Sequence, residues 1–170
     1  MASNLASQPQ VLASHSLNLT NRYAVPSVNE VFKYNILRTL EINGREFVLR
    51  PGEQFAFHDQ FLPEMNPAVV GKARFNGEQG FKSDGYLVGD GVCHLASFMY
   101  LTALEAGLEA NAPRNHNFAA IPDIPKIYGV SIYSTSAQNN LYITNTKPYS
   151  VKFEFTTVDN QLILTIKRVD

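Results

Sequence analysis

The sequence predicts a single α+β domain in which two main helices pack on a mostly antiparallel β-sheet or pair of sheets. Two segments carry apolar residues at helical spacing, and each is followed by a glycine. The last third of the chain alternates apolar and polar residues as strands do. With 170 residues, 45% of them apolar, the chain is long enough for one domain with a substantial core.

The first 22 residues are rich in Ser, Ala, Asn and Gln and have no strong periodicity. We therefore predict a flexible lead-in over residues 1–22 and a folded domain over residues 23–170. Leu17 and Leu19 suggest that the second half of the lead-in lies against the domain. No apolar run approaches the roughly 20 residues of a membrane span, so we expect this chain to make no membrane contact. Residues 1–10 lack the basic start and apolar middle of a signal peptide.

The first helix is predicted over residues 28–42. Its apolar residues recur at steps of three to five and form one face: Val28, Val31, Phe32, Leu37 and Leu40. Ser27 and Glu30 have the spacing of a capping box, which predicts the helix start. Asn43-Gly44 is a typical helix end.

Short strands are predicted at residues 45–50 and 54–58, with Pro51-Gly52 as the turn between them. Residues 59–83 are irregular and contain two prolines and three glycines. A loop of this length in a compact domain is usually functional or partly disordered. Because it precedes the only cysteine, it is a candidate cover over a site there.

The second helix is predicted over residues 93–107, and its broad apolar face indicates a central position. A loop or the start of a strand follows at residues 112–118, and two prolines within 121–125 exclude a central strand there. The last third predicts four strands, with Asp159-Asn160 as a tight turn between the last two. These strands span residues 127–133, 141–144, 151–157 and 161–168.

Composition excludes several classes of function. The formal net charge is −1 and the basic residues are spread along the chain, whereas a nucleic-acid-binding face is strongly basic. We therefore expect no nucleic-acid partner. A single cysteine excludes an internal disulfide and a zinc site of several cysteines. We also expect no cofactor.

Cys93 is the leading candidate for a reactive group. It follows Gly89 and Gly91 at the point where a loop turns into the second predicted helix. Backbone N–H groups and the positive end of the helix dipole favour a thiolate at such a place, and glycines let the backbone approach a ligand closely. The alternative is a small buried apolar side chain, which is the commoner role of a lone cysteine.

A thiol nucleophile needs an adjacent base, and His116 is the candidate because its unperturbed pKa lies near neutrality. His94 points away from its neighbour Cys93 on a helix, so it is either a polar residue at the edge of the site or a donor to an oxyanion. Arg114 would share a face with His116 in an extended segment and bind a substrate carboxylate, unless it is a solvated surface arginine. Tyr86 either lines the pocket or belongs to the core.

A metal site built from Cys93, His94, His116 and His58 is disfavoured. Metal ligands on one helix normally lie three or four residues apart, whereas Cys93 and His94 are adjacent. We therefore predict no metal site.

Several motifs, in order along the chain, resemble the VanW family, which is named for an accessory gene of vancomycin-resistance clusters. The clearest is Pro51-Gly52-Glu53-Gln54-Phe55-Ala56-Phe57, which is close to the family's Pro-Gly-Glu-x-Phe-Ser-Phe. Gly89-Asp90-Gly91-Val92-Cys93-His94 resembles the family's glycine triplet, apolar residue and Cys-Gln. Ala106-Gly107-Leu108 and Arg114-Asn115-His116 match later motifs. The resemblance covers about residues 28–158.

The chain departs from the family pattern at four positions. Asp90 replaces the middle glycine, His94 replaces the glutamine after the cysteine, and Ala96 replaces a serine. Gly129 stands where the family segment Asp-Ala-Thr-Val begins. An aspartate that would orient the histidine is therefore missing, and the chain is interpreted as a divergent member.

The resemblance implies a bacterial cell-envelope setting and L,D-transpeptidase-like chemistry on peptidoglycan peptides. Cys93 would form a thioester with a stem peptide, His116 would transfer protons, and backbone N–H groups from Gly91 to His94 would bind the oxyanion. We interpret Arg114, His94, Tyr86 and Gly91 as substrate-binding residues. The chain is then expected to be extracytoplasmic, as the soluble part of a longer anchored or exported protein. Two alternatives stay open: a non-catalytic module that binds cell-wall peptide, and a thiol peptidase or amidase in which water replaces the acceptor amine.

Overall fold

A computed structural model describes residues 8–170 and confirms the predicted α+β class. In this part of the chain there are two α-helices, α1 (Pro26–Asn43) and α2 (Val92–Glu105). The strands are β1 (Val11–Asn18), β2 (Glu46–Leu49), β3 (Gln54–Ala56), β4 (Val69–Val70), β5 (Glu109–Asn111), β6 (Tyr142–Thr144), β7 (Ser150–Val158) and β8 (Gln161–Val169). None of the helices within residues 8–170 has the length and apolar composition that crossing a membrane requires.

The strands form two four-stranded sheets. One has the order β1-β8-β7-β2 and is antiparallel throughout. The other has the order β4-β3-β6-β5, and its single parallel pair is β3 with β4. The hairpin β7–β8 is the longest pairing, and its turn at Asp159-Asn160, with Asp159 at a positive φ of 53°, confirms the predicted turn. Alternate residues of both strands point into the core, as the sequence pattern indicated.

Helix α1 confirms the first predicted helix, but the residues that begin it are not the predicted ones. The residue before the helix is Val25, and no side chain caps the first turn. Pro26 is the first helical residue, because its fixed φ suits that position and its missing N–H costs nothing there. The predicted capping box of Ser27 and Glu30 is therefore wrong, since both residues lie inside the helix. Gly44 ends α1 as predicted, at φ 92°.

The predicted flexible lead-in is wrong for residues 11–18, which form β1 along the edge of the first sheet. Backbone hydrogen bonds to β8 hold this strand, and Leu17 and Leu19 are buried, as the sequence suggested. The segment lacks the regular alternation of a strand, and its partner β8 lies about 150 residues later along the chain. Residues 1–7 lie outside the described residues.

The predicted strand at 127–133 is also wrong. A 3₁₀ turn occupies Lys126–Tyr128, and only an isolated bridge joins Val130 to Asn115. The N–H groups of this stretch alternate between neighbours, because Ser131 donates to the Arg114 carbonyl whereas Val130 donates to the Ser97 hydroxyl of α2. The stretch is extended, but on one side its N–H group at Val130 is bonded to a side chain of α2 and not to a second strand.

Helix α2 is central, as predicted, and contacts α1, β1, β5 and β8. Its residues are mostly buried on all sides, which is why its apolar face looked so broad in the sequence. Residues 59–83 are largely irregular as expected, with only β4 and a 3₁₀ turn at Gly77–Gln79. Phe75 and Phe81 of this segment pack in or against the hydrophobic core, so the segment is an integral part of the domain.

A buried amide connects α1 to the loop that precedes α2. The side chain of Asn35 donates to the carbonyls of Lys82 (3.0 Å) and Asp90 (2.9 Å) and accepts from the N–H of Lys82 (2.9 Å). Both ends of the loop 82–90 are thereby tied to one side chain of α1. Asn35 itself has no exposed surface, and its hydrogen bonds to the loop are partly buried, so losing them is costly.

We expect Asn35→Ala to destabilise the protein by about 2–4 kcal/mol, because three partly buried backbone groups lose their partner. Urea unfolding followed by circular dichroism measures the loss. Asn66→Ala is the matched control, since Asn66 is exposed and its side chain makes no hydrogen bond within residues 8–170. Equal stability of Asn35→Ala and Asn66→Ala would contradict the structural role given to Asn35.

Candidate active site

The start of α2 depends on a glycine that no other residue can replace without strain. Gly91 immediately precedes the helix with φ 97°. A Cβ at this position would lie 2.7 Å from the carbonyl oxygen of Phe32 and 2.9 Å from its Cα. The backbone of the motif therefore packs directly on the backbone of α1, and Val92 begins α2. Cys93 is then fixed in the first helical turn, at the position that the sequence predicted.

Cys93 is partly buried, and its sulfur faces the extended stretch 129–132. Its Sγ accepts a hydrogen bond from the N–H of Ile132 at 3.4 Å. Burial raises the pKa of the Cys93 thiol above its ordinary value, the charge of Asp90 raises it further, and the Ile132 N–H acts in the opposite direction. The net direction of the shift is upward, although the start of a helix by itself stabilises an anion. Contrary to expectation, Cys93 therefore rests as a thiol.

His116 is buried beside the same extended stretch. The backbone N–H of His116 donates to the carbonyl of Gly129 at 3.0 Å. In the ring, Nδ1 lies 3.2 Å from the carbonyl oxygen of Ala119. A carbonyl only accepts, so Nδ1 carries the proton and Nε2 keeps a lone pair. Burial lowers the pKa of His116, although its backbone hydrogen bonds oppose that shift. The ring is thus neutral at pH 7 and has the form of a general base.

Gly129 explains how His116 can lie so close to the chain behind it. A Cβ on residue 129 would meet the His116 carbonyl oxygen at 2.7 Å and the His116 Cβ at 3.2 Å. An aspartate cannot occupy this position without displacing His116. The orienting role that the resemblance gives to an aspartate falls here to the Ala119 carbonyl, which fixes the ring through Nδ1.

Cys93 and His116 line one cleft of about 340 Å³, together with Gly91 and His94. Within residues 8–170, however, the Ile132 N–H is the only group that is hydrogen-bonded to Sγ, so neither histidine bonds the thiol at rest. The N–H groups of Cys93 and His94 donate to no protein acceptor in the described part of the chain. Such free donors in a first helical turn are suited to an anion or oxyanion.

His94 is a buried wall residue of this cleft rather than a surface residue. Its ring packs edge-on against Phe32, with centroids 5.0 Å apart. Its Nδ1 lies 3.4 Å from Nη1 of Arg22. Burial lowers the pKa of His94 to about 3, and the charges of Arg22 and His116 add to the effect. His94 is therefore neutral at pH 7.

Arg22 is the site residue that sequence reasoning missed. Its side chain lines the cleft with 1% of the residue exposed, and Nη2 pairs with Asp123 at 2.9 Å. Nothing in the local sequence distinguishes Arg22 from a surface arginine, because the residues that bury it come from α2 and from a loop a hundred positions later. The only signal was its nearness to the apolar Leu17 and Leu19.

Two predicted substrate-binding residues lie outside the cleft. Tyr86 is 93% exposed, and it is neighbouring Leu87 and Val88 that line the cleft. Arg114 is exposed and is absent from the lining, although its carbonyl accepts from Ser131. The prediction that Arg114 and His116 share a face assumed a regular strand, whereas this segment has only an isolated bridge at Asn115.

Two carboxylates lie at the rim of the cleft. The carboxylate of Asp90 accepts a hydrogen bond from the N–H of Asp84 at 3.0 Å. Burial raises the pKa of Asp90, and the charge of Asp84 raises it too.

Among the described residues, no group of three or more His, Cys, Asp or Glu side chains is placed to bind a metal ion. His58 lies elsewhere, with Nε2 bonded to the carbonyl of Asn139.

Comparison with known proteins gives one family. The family model described as "VanW like protein" matches residues 34–167, which is most of the chain. The matched region contains Cys93 and His116 but begins after β1 and Arg22. No curated protein and no solved structure matches the chain.

We expect alkylation of Cys93 by iodoacetamide to be slow at pH 7 and to rise with pH beyond the midpoint of an ordinary cysteine. The thiolate is the reacting form, and the raised pKa leaves little of it at neutral pH. The rate is measured by intact-protein mass spectrometry, with the same chain in urea as reference. The midpoint is compared, since exposure alters the rate but not the midpoint. A plateau already reached below pH 7 would show a thiolate at rest and contradict this assignment.

We expect Asp90→Asn to shift the alkylation midpoint to lower pH. The carboxylate of Asp90 disfavours a nearby thiolate, and the amide removes that charge while keeping the shape. Asp159→Asn is the matched control, because it removes a carboxylate from the β7–β8 turn instead. Equal midpoints in wild type and Asp90→Asn would mean that the charge of Asp90 does not reach the sulfur.

Proposed function

The chain belongs to the family of VanW-like proteins, and we propose that it acts on the bacterial cell wall as a cysteine-dependent acyl transferase for peptidoglycan stem peptides. Its family points to the cell-wall and vancomycin-resistance theme. One observation supports the finer assignment: one cleft is lined by Cys93, His94 and His116, which carry a thiol, a neutral imidazole with a free Nε2 and two backbone N–H groups without a protein acceptor. These are a nucleophile, a base and oxyanion donors, the parts that acyl transfer requires.

In the proposed first step, the Cys93 sulfur attacks a peptide carbonyl as its proton passes to Nε2 of His116. The carbonyl oxygen becomes an oxyanion that accepts hydrogen bonds from the N–H groups of Cys93 and His94. The C–N bond then breaks, and His116 returns the proton to the departing amine. A thioester on Cys93 remains. His116 is restored to its neutral form.

In the second step, the amine of another stem peptide attacks the thioester. His116 accepts a proton from that amine, a new amide bond forms, and the C–S bond breaks. The proton returns from His116 to the sulfur, which leaves the thiol as it was. With water as the acceptor, the same sequence would give hydrolysis.

The resting geometry requires ligand binding before proton transfer. The sulfur accepts a hydrogen bond from the Ile132 N–H and has no hydrogen bond with His116. Catalytic hydrogen bonds are often long or absent in free enzymes and form in the complex. A carbonyl group that enters the cleft would compete with the sulfur for nearby donors and release it toward the imidazole.

A second candidate function is a non-catalytic module that binds cell-wall peptide in the same cleft. The raised pKa of Cys93 and the absence, within residues 8–170, of a hydrogen bond from Sγ to a histidine favour it. The two candidates differ in whether Cys93 is acylated. Either would place the protein outside the cytoplasm, where peptidoglycan is found.

The test incubates the chain with disaccharide tetrapeptides from peptidoglycan and follows both the intact protein mass and the products. We expect an acyl adduct on Cys93, loss of product in Cys93→Ala, and a rate about 10²–10⁴-fold lower in His116→Gln, the range for loss of a general base. His15→Gln is the matched control, because His15 pairs with Glu105 away from the cleft. Unchanged products in Cys93→Ala would exclude the nucleophile. Equal peptide binding by wild type and Cys93→Ala, without any adduct, would establish the binding module instead.

A further inference from the structure

We propose that Arg22 is a positioning residue that holds the proton of His94 on Nε2, so that His94 donates a hydrogen bond to the carbonyl oxygen of an acyl group on Cys93. The inference deepens the proposed function and rests on it for the identity of that acyl group. It concerns two residues that the fold brings together from distant positions, since Arg22 lies before the family match and His94 lies within it.

Arg22 is held in place from several sides. Nε donates to the carbonyl of Asn18 at 2.8 Å, Nη1 to the carbonyl of Pro122 at 3.2 Å, and Nη2 to the carboxylate of Asp123 at 2.9 Å. Its backbone N–H donates to the side chain of Asn29 in α1 at 2.6 Å. With so many fixed contacts, the guanidinium has little freedom to turn away from His94.

The contact between Arg22 and His94 determines which ring nitrogen is protonated. Nη1 of Arg22 lies 3.4 Å from Nδ1 of His94. A guanidinium only donates, so Nδ1 must present a lone pair. A neutral imidazole carries one proton, and here it must be on Nε2. An imidazolium would bring a second N–H and a second positive charge against the guanidinium, which the buried setting disfavours.

The protonated nitrogen of His94 is open to the cleft. Nε2 of His94 has no hydrogen-bond partner within residues 8–170, and no buried side-chain nitrogen or oxygen in that range lacks one. Nε2 must therefore keep access to solvent, and the cleft is the open space that His94 lines. A polar N–H in a half-closed apolar wall is a site where an acceptor atom of a ligand binds favourably.

The two histidines of the cleft then have opposite tautomers. The Ala119 carbonyl places the proton of His116 on Nδ1, and Arg22 places that of His94 on Nε2. Both rings line the same cleft, and the free Nε2 is a lone pair in His116 and an N–H in His94. The acceptor suits the proton of a thiol or amine, and the donor suits a carbonyl oxygen. A neutral donor also adds no positive charge that would oppose protonation of His116 when it accepts a proton.

The test uses the full chain labelled with ¹⁵N-histidine and long-range ¹H–¹⁵N correlation spectra, which separate the two tautomers of each ring. We expect wild-type His94 to be neutral with the proton on Nε2 at pH 7, and to stay so on acidification until the protein unfolds. A His94 ring protonated on Nδ1, or an imidazolium at pH 6, would overturn the proposal.

Substitutions of Arg22 separate positioning from general stability. We expect Arg22→Met to give a mixture of His94 tautomers, because Nδ1 loses its donor. Arg22→Lys keeps a cationic donor and should retain the Nε2–H form, and it also serves if Arg22→Met fails to fold. Arg45→Met removes an exposed arginine that bonds Thr157 and should leave the His94 spectrum unchanged. A pure Nε2–H tautomer in a folded Arg22→Met would overturn the role of Arg22.

The hydrogen bond itself is tested with a probe that needs no peptidoglycan. Iodoacetamide alkylates the only cysteine at high pH and tethers an amide carbonyl to Cys93. We expect the His94 Nε2 proton to exchange with water at least about tenfold more slowly in the alkylated protein, because the carbonyl accepts it. Unchanged exchange would overturn the donor role of His94.

The two proposals can fail separately. If muropeptides give no adduct while the spectra show the Nε2–H tautomer and its protection by the tethered amide, the proposed function fails and the role of Arg22 stands. If Cys93 is acylated while His94 carries its proton on Nδ1, the reverse holds. Where acylation occurs, His94→Leu should slow it by about 10²–10³-fold, as for the loss of one oxyanion donor, and His94→Gln, which keeps an N–H, should recover part of the rate.

Discussion

The geometry of the cleft depends on the missing side chain at Gly91. With no Cβ, the loop backbone lies against the backbone of Phe32, and α2 begins at that contact. One turn further along α1, Asn35 fixes the carbonyl of Asp90. Helix α1 thus sets both the position and the direction of the first turn of α2. The thiol, its backbone N–H and the neighbouring imidazole are all placed by an interaction between two helices.

Burial controls the chemistry of the cleft more than charge does. It raises the pKa of Cys93 and lowers those of His94 and His116, so all three groups are neutral at rest. A thiolate–imidazolium pair would be the charged alternative, and this setting disfavours both ions. With neutral groups of defined tautomer, the thiol would lose its proton as the new bond forms, and not beforehand as a resting thiolate. The cleft therefore suits a substrate that itself completes the arrangement.

The parts of the fold that follow from local patterns could be predicted, and those that depend on distant partners could not. Helical spacing predicted α1 and α2, and alternation with a turn predicted β7 and β8. By contrast, the apolar and polar residues of β1 do not alternate regularly, and it is a strand only because β8 pairs with it. In the site, Cys93 and His116 carried recognisable chemistry. Arg22 did not, because an arginine is buried only where separate segments supply its acceptors.

Two structural features of the domain, β1 and the buried Arg22, lie before the start of the family match. The family match starts at residue 34, inside α1. A fragment trimmed to that boundary would lose the first turns of α1, the guanidinium beside His94 and the strand that covers one side of β8. The bare β8 edge would offer unpaired backbone groups to another copy of the chain, a common route to aggregation. Residues that precede the family match thus supply an edge strand of one sheet and part of the lining of the candidate site.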